Sequence, residues 1–130
     1  RLVSQTELIL TNEPADIYAN PTYLPEDMQP DYDRYWTDER VDRVLDVLQR
    51  YDIALEINAR YRIPSFDIIR RARERGIRFT FGTNNVDADF GRLEYCLEAV
   101  ERCGLTADDM WFPSMSVRRE RPVVLYNRFD

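Results

Sequence analysis

The sequence predicts an α/β fold with a parallel sheet, and three observations carry that expectation. Three apolar stretches end in the same way: residues 15–19 run into Asn20, residues 53–57 into Asn58, and residues 77–83 into Asn84 and Asn85. The segments between them carry helix signals, and a strand–helix–strand–helix order makes neighbouring strands parallel, with binding chemistry gathered at their carboxyl ends. Five of the six asparagines (Asn12, Asn20, Asn58, Asn84 and Asn85) lie at or near that edge, in a chain with no histidine. Neutral amides at this edge point to a polar site poorly suited to metal ions.

Across residues 15–20, alternation puts Ile17 and Ala19 on one face and Asp16, Tyr18 and Asn20 on the other. Residues 21–37 hold three prolines with Tyr23, Tyr32, Tyr35 and Trp36. That is more apolar surface than an idle linker carries, so the segment is expected to cap the sheet edge or to form a ligand-stacking lid. Thr37 suits an N-cap, Asp38 and Glu39 complement the helix dipole, and Val41, Val44, Leu45, Leu48 and Tyr51 form an apolar stripe. The second strand, 53–58, places Leu55 and Ile57 opposite Ala54, Glu56 and Asn58. Ser65 caps the next helix, Ile68, Ile69 and Ala72 form its buried face, and Gly76 ends it with a left-handed turn. In the third strand Phe79 and Phe81 oppose Thr80, Gly82 and Asn84. A third helix is expected from about Asp89, with Phe90, Leu93, Leu97, Val100 and Cys103 inward and Gly104 closing it. Thr106 can cap one more turn before Trp111, Phe112 and Pro113. Residues 113–130 form a tail, strand-like over 123–126, suited to covering a sheet edge.

With 130 residues, 44% of them hydrophobic and 12% aromatic, the chain has material for one domain with a core. A net charge of −6 and the lack of a basic block argue against a nucleic-acid partner. All eighteen basic residues are arginine. The absence of lysine is most simply codon bias, although arginine favours bidentate recognition of carboxylate or phosphate. No apolar run reaches the ~20 residues that span a bilayer, and no signal-peptide pattern opens the chain, so the expectation is no membrane and a cytoplasmic location. Cys96 and Cys103, seven apart on a helix, would be separated by about 10.5 Å, beyond the reach of a mutual disulfide. Both are expected as reduced core thiols. The first residue is Arg1, and an upstream segment is expected.

If helices cover the apolar strand faces, then Tyr18, Asn20, Glu56, Asn58, Thr80, Gly82 and Asn84 look into one interior. That fits a barrel wall, whereas an open doubly wound sheet would be apolar on both faces. A complete (β/α)8 barrel takes ~250 residues. The expected fold is therefore a partial, distorted TIM-like (β/α) barrel, with parallel strands and helices on the outer face. Residues 1–130 would be a single domain, the carboxyl-terminal half, completed by an N-terminal half or by a second copy in a homo-oligomer.

The segments Ala15-Asp16-Ile17-Tyr18-Ala19-Asn20-Pro21, Ala54-Leu55-Glu56-Ile57-Asn58, Ile68-Ile69-Arg70-Arg71-Ala72 and Gly76-Ile77-Arg78-Phe79-Thr80-Phe81-Gly82-Thr83-Asn84 together resemble the PHP (polymerase and histidinol phosphatase) family. The likeness runs from about residue 13 to 113. It implies a distorted seven-stranded barrel, hydrolysis of phosphoesters with a metal cluster, and a histidine-rich first half upstream of Arg1. This chain departs from the pattern at three ligands. Asn20 stands before Pro21 where the family has histidine. Gly82-Thr83-Asn84-Asn85-Val86 stands where the family has Gly-Ser-Asp-x-His, so Asn84 replaces an aspartate and Val86 a histidine. An amide brings no charge and valine cannot ligate, so zinc or manganese affinity should fall. The resemblance thus implies no metal held by this chain alone, with a divalent zinc or manganese ion reserved for the full-length protein.

Glu56 is the only carboxylate expected to point inward from mid-strand. It is either ion-paired with Arg60 or Arg78, or a catalytic general acid or base. Arg60 and Arg62 flank Tyr61 past the second strand, where they could grip a phosphate or simply be solvated. Asn20, Asn58, Thr83, Asn84 and Asn85 complete the expected ligand-binding set, with plain turn roles as the alternative for Asn84 and Asn85. Asp87 and Asp89 suit helix capping better than metal ligation. Serine–histidine and cysteine–histidine catalysis are excluded within a chain that lacks histidine. Two functions follow: a fragment of a PHP-like metal-dependent phosphoesterase with a degenerate metal site, or a non-catalytic relative that binds a polar or phosphorylated small molecule.

Overall fold

The computed structural model describes residues 3–84 and 91–113. Its centre is a parallel sheet in chain order, β1 (Ile17–Tyr18), β2 (Ala54–Asn58) and β3 (Phe79–Gly82). Helix α1 (Ser4–Asn12) precedes it. A 3-10 turn (Gln29–Asp31), α2 (Tyr32–Tyr35) and α3 (Asp38–Tyr51) join β1 to β2, and α4 (Phe66–Glu74) joins β2 to β3. Helix α5 (Glu94–Cys103) and a 3-10 turn (Ala107–Asp109) follow. Asn85, Val86, Asp87, Asp89, Phe90 and the strand-like tail segment lie outside the described residues.

Local signals work as expected in α3 and α4. Thr37 Oγ1 accepts from Arg40 N–H and Ser65 Oγ from Ile68 N–H, both at 3.4 Å. Val41, Val44, Leu45 and Leu48 are buried on α3, and Ile68, Ile69 and Ala72 on α4. Gly76 takes φ +75°, a backbone angle that side chains resist, and so lets the chain turn directly from α4 toward β3. Leu55, Ile57 and Phe79 join these helix faces in one core. Met110 forms a parallel bridge to Phe79, and Trp111 N–H donates to Phe79 O at 2.8 Å, so the outer edge of β3 is engaged at its first residue.

Two expectations are corrected, and one helix was not anticipated. The first strand is only two residues long, and its phase is inverted: Ile17 pairs with Ala54 and Tyr18 with Leu55. Paired residues share a face, so Tyr18 packs on the core while Ile17 stays 37% exposed. The register is set by Ala54 N–H donating to Asp16 O at 2.9 Å, and the strand stops short because Asn20 and Thr22 take φ of 47° and 62°. Helix α5 begins at Glu94, and its buried face is Tyr95, Cys96, Ala99 and Cys103. Leu97, expected inward, is 62% exposed. Small Cys96 and Ala99 let the helix approach β2 closely enough for Cys96 Sγ to donate to Ile57 O at 3.3 Å, which a leucine there would prevent. Finally, α1 was not expected; it lies against α3, with Leu10 buried and Arg43 paired to Glu7 at 2.5 Å.

The aromatic segment divides in two. Trp36 is buried, and its Nε1–H donates to Thr22 O at 2.9 Å. Tyr32 OH shares a 2.6 Å hydrogen bond with Thr22 Oγ1 and accepts from Ser65 N–H at 3.2 Å. These residues cap the sheet edge. Tyr23, by contrast, is 46% exposed. Among the described residues no helix is long and apolar enough to cross a membrane.

Candidate functional site at the strand ends

Asn58 closes β2 and is fully buried, while Asn20 and Asn84 sit just past β1 and β3 at φ of 47° and 45°. Asparagine tolerates this left-handed region better than other side-chain-bearing residues. The turn at Asn20 is decisive: although β1 runs in the opposite phase, it brings Asn20 back toward β2. The three amides then meet. Asn58 Nδ2 lies 3.0 Å from Asn20 Oδ1 and 3.0 Å from Asn84 Oδ1, and Asn84 Nδ2 donates to Asn20 Oδ1 at 2.9 Å. Tyr61 N–H donates to Asn58 Oδ1 at 3.0 Å, which orients the Asn58 amide with its nitrogen toward the cluster.

Glu56 belongs to the same network. Its Oε1 accepts from Asn20 N–H and Asn58 Nδ2, each at 3.0 Å. Three oxygens from three segments thus converge on the Asn58 nitrogen, which has only two hydrogens to share. The expected ion pair with Arg60 or Arg78 does not form. Arg78 sits at the amino end of β3 and pairs with Asp52 at 3.8 Å, while backbone and side-chain amides take the arginine's place at Glu56. Gly82 makes this possible: a Cβ there would overlap Glu56 Oε2 and lie 2.5 Å from its Cδ. The carboxylate therefore occupies the space over Gly82 where a side chain would otherwise stand.

Next to the amides is a cavity of 310 Å³ lined by Ala59, Arg60, Arg62, Thr83, Arg92, Glu94 and Tyr95. Ala59 follows Asn58 and Thr83 precedes Asn84, so the cavity and the cluster share strand ends; Ala59 N–H also donates to Gly82 O at 2.8 Å. Arg62 pairs with Glu98 at 3.2 Å, and its guanidinium lies 4.9 Å from the Tyr95 ring centre. The structure thus gathers Asn20, Glu56, Asn58 and Asn84 in one network and Arg60, Arg62 and Thr83 in the neighbouring cavity. Arg92 was not singled out beforehand, and Gly82 was expected to face the interior but not to make room for Glu56. A glycine inside a strand is a signal of close approach, whereas nothing local marks Arg92.

The donor chemistry does not fit a transition metal. Among the described residues no three histidine, cysteine or acidic groups come together, and Glu56 is the only charged oxygen donor in a cluster whose centre is an N–H₂ group. Zinc and manganese sites need more charged or imidazole ligands than that. Cys96 is fully buried behind β2, where burial pushes its thiol up to about 11, a hydrogen bond with the Gly82 backbone opposes this, and the Glu56 charge adds to it.

No protein-family model, curated protein or solved structure matches this chain.

Proposed function

We propose that this chain is the carboxyl-terminal part of a PHP-like distorted barrel with a degenerate metal site, and that its strand ends bind a phosphorylated polar small molecule without hydrolysing it. What supports this reading is one juxtaposition: an amide cluster with no transition-metal donor set adjoins a cavity walled by Arg60, Arg62 and Arg92. Among the described residues the lining holds three arginines and one carboxylate, Glu94, and Arg62 is in addition paired with Glu98 at 3.2 Å. Guanidinium forks match phosphate oxygens in pairs, and the Thr83 hydroxyl and nearby amides suit the hydroxyls of the carrier. The outer edge of β1 is where an upstream half, or a second copy, would add the next strand.

Glu56 favours a second reading. Among the described residues it has no arginine partner, so it is also placed for general acid or base work in a longer metal-dependent hydrolase whose ligands come from elsewhere. Calorimetric titration with ribose 5-phosphate, together with metal analysis and a generic phosphoesterase assay, separates the two. Saturable binding that weakens about tenfold, or about 1.4 kcal/mol, in Arg60→Ala, without stoichiometric metal or turnover, is the expected result. Tight zinc or manganese binding with phosphoester cleavage would refute the degenerate site, and failure to bind the phosphate ester would refute the arginine cavity.

A further inference from the structure

The phosphorylated ligand has a second recognition element, a planar aromatic ring, which we infer is held in a tyrosine-walled cavity that shares Arg62 with the arginine cavity. The inference rests on the phosphate-binding reading above and adds the class of molecule that carries the phosphate. This second cavity measures 240 Å³, and its wall includes Thr22, Tyr23, Gln29, Tyr32, Tyr61 and Arg62.

Size is the first argument. Small-molecule sites span about 300–1,000 Å³. Cavities of 240 and 310 Å³ fall below or at the bottom of that range singly, while a ligand reaching across Arg62 into both falls inside it. The aromatic surface is the second. Tyr32 and Trp36 are consumed by internal hydrogen bonds, but Tyr23 and Tyr61 meet edge to face with ring centres 4.9 Å apart and remain 46% and 37% exposed. Two partly exposed rings at the wall of a cavity offer faces for a planar group to stack on.

Charge is the third argument. Among the described residues no carboxylate lines the tyrosine cavity, and its one charged wall residue, Arg62, is paired with Glu98 at 3.2 Å, so a neutral ring with polar edges suits it. Gln29, on that wall, has its Nε2 engaged with Leu24 O at 3.1 Å and presents its amide oxygen as an acceptor for such an edge. The Tyr61 backbone is itself tied to the amide cluster through Asn58 Oδ1 at 3.0 Å, which fixes the ring cavity relative to the strand ends. The chemistry recognised is therefore a planar heteroaromatic ring joined to a phosphate monoester, as in a nucleoside monophosphate.

Calorimetry on this chain with adenosine 5′-monophosphate, cytidine 5′-monophosphate, ribose 5-phosphate and adenosine tests it. At least one nucleotide should bind about tenfold more tightly than ribose 5-phosphate, equivalent to about 1.4 kcal/mol and within the range for stacking a base on an aromatic ring. Preference for one nucleotide over the other identifies the size of ring the cavity takes. Tyr61→Ala should erase the advantage of the nucleotide and leave ribose 5-phosphate binding in place, while Tyr61→Phe should keep it. Tyr23→Ala, at an even more exposed position, is the second variant and should erase it too. Arg60→Ala should weaken the nucleotide and ribose 5-phosphate by the same factor and leave adenosine unchanged. Equal affinity for the nucleotides and ribose 5-phosphate would overturn this inference while leaving the phosphate reading standing. If no phosphorylated probe binds, the phosphate reading falls and this inference falls with it.

Discussion

Replacing Gly82 with alanine tests whether Glu56 depends on a missing side chain in β3. In an unobstructed strand the change stabilises by about 0.5–1 kcal/mol, because glycine loses more backbone freedom on folding. Here the new Cβ would overlap Glu56 Oε2 and stand 2.5 Å from Cδ and 3.1 Å from Cγ. Glu56 must then swing away and give up its hydrogen bonds from Asn20 N–H and Asn58 Nδ2, each 3.0 Å long. Hydrogen bonds to a charged group contribute about 1.5–3 kcal/mol each, and the low end applies because the half-buried carboxylate regains water. After the backbone gain is set against the two lost bonds, Gly82→Ala should destabilise by about 2 kcal/mol. Urea unfolding should show a lower midpoint with an unchanged slope. In a Glu56→Ala background the three atoms nearest the new Cβ are gone, and the same substitution should be neutral or stabilising by about 0.5–1 kcal/mol, giving a large coupling energy. Equal costs in both backgrounds would refute the overlap with Glu56 and point to distortion of the strand itself.

Two further outcomes follow from the corrected helix and its cysteines. Leu97→Gln should change stability by less than about 0.5 kcal/mol, as for other exposed positions, whereas Ala99→Leu should cost about 1–3 kcal/mol by overfilling the contact between α5 and the core; a reversal of that order in urea unfolding would restore the stripe read from the sequence. At pH 8 iodoacetamide should leave Cys96 unlabelled in the native chain and label it after denaturation, as peptide mass analysis would show. Its thiol titrates near 9.0 when free and is raised to about 11 by burial, so it contributes stability below pH 9 that is lost as the pH rises toward 11. Native-state labelling as fast as that of a free thiol would show that α5 does not seal this side of β2.

Much of the fold was legible because its signals act within a few residues. Thr37 and Ser65 cap helices through donors three residues on, and the apolar spacing of α3 and α4 marks their buried faces without reference to the rest of the chain. Gly76 and Gly104 end helices at positive φ for reasons of backbone sterics alone. The order of these elements was enough to place Asn20, Asn58 and Asn84 on one edge, since parallel strands joined by helices leave their carboxyl ends together.

What depended on distance in space was not legible. The apolar residues of the first strand fit either phase, and only the bond from Ala54 N–H to Asp16 O selects the one in which Tyr18 faces the core. Helix α5 carries apolar residues on more than one face, and closeness to β2 chooses small Cys96 and Ala99 over Leu97. The partner of Glu56 could not be read from neighbours in sequence: its bonds come from Asn20 N–H, thirty-six positions away, and from Asn58, in room left by Gly82. Local signals along the chain were enough for α3, α4, β2 and β3, their order, and the polar residues at the strand ends. Tertiary structure decided strand phase, helix rotation and hydrogen-bond partners, because each is set by contacts whose members are far apart along the chain and meet only when it folds.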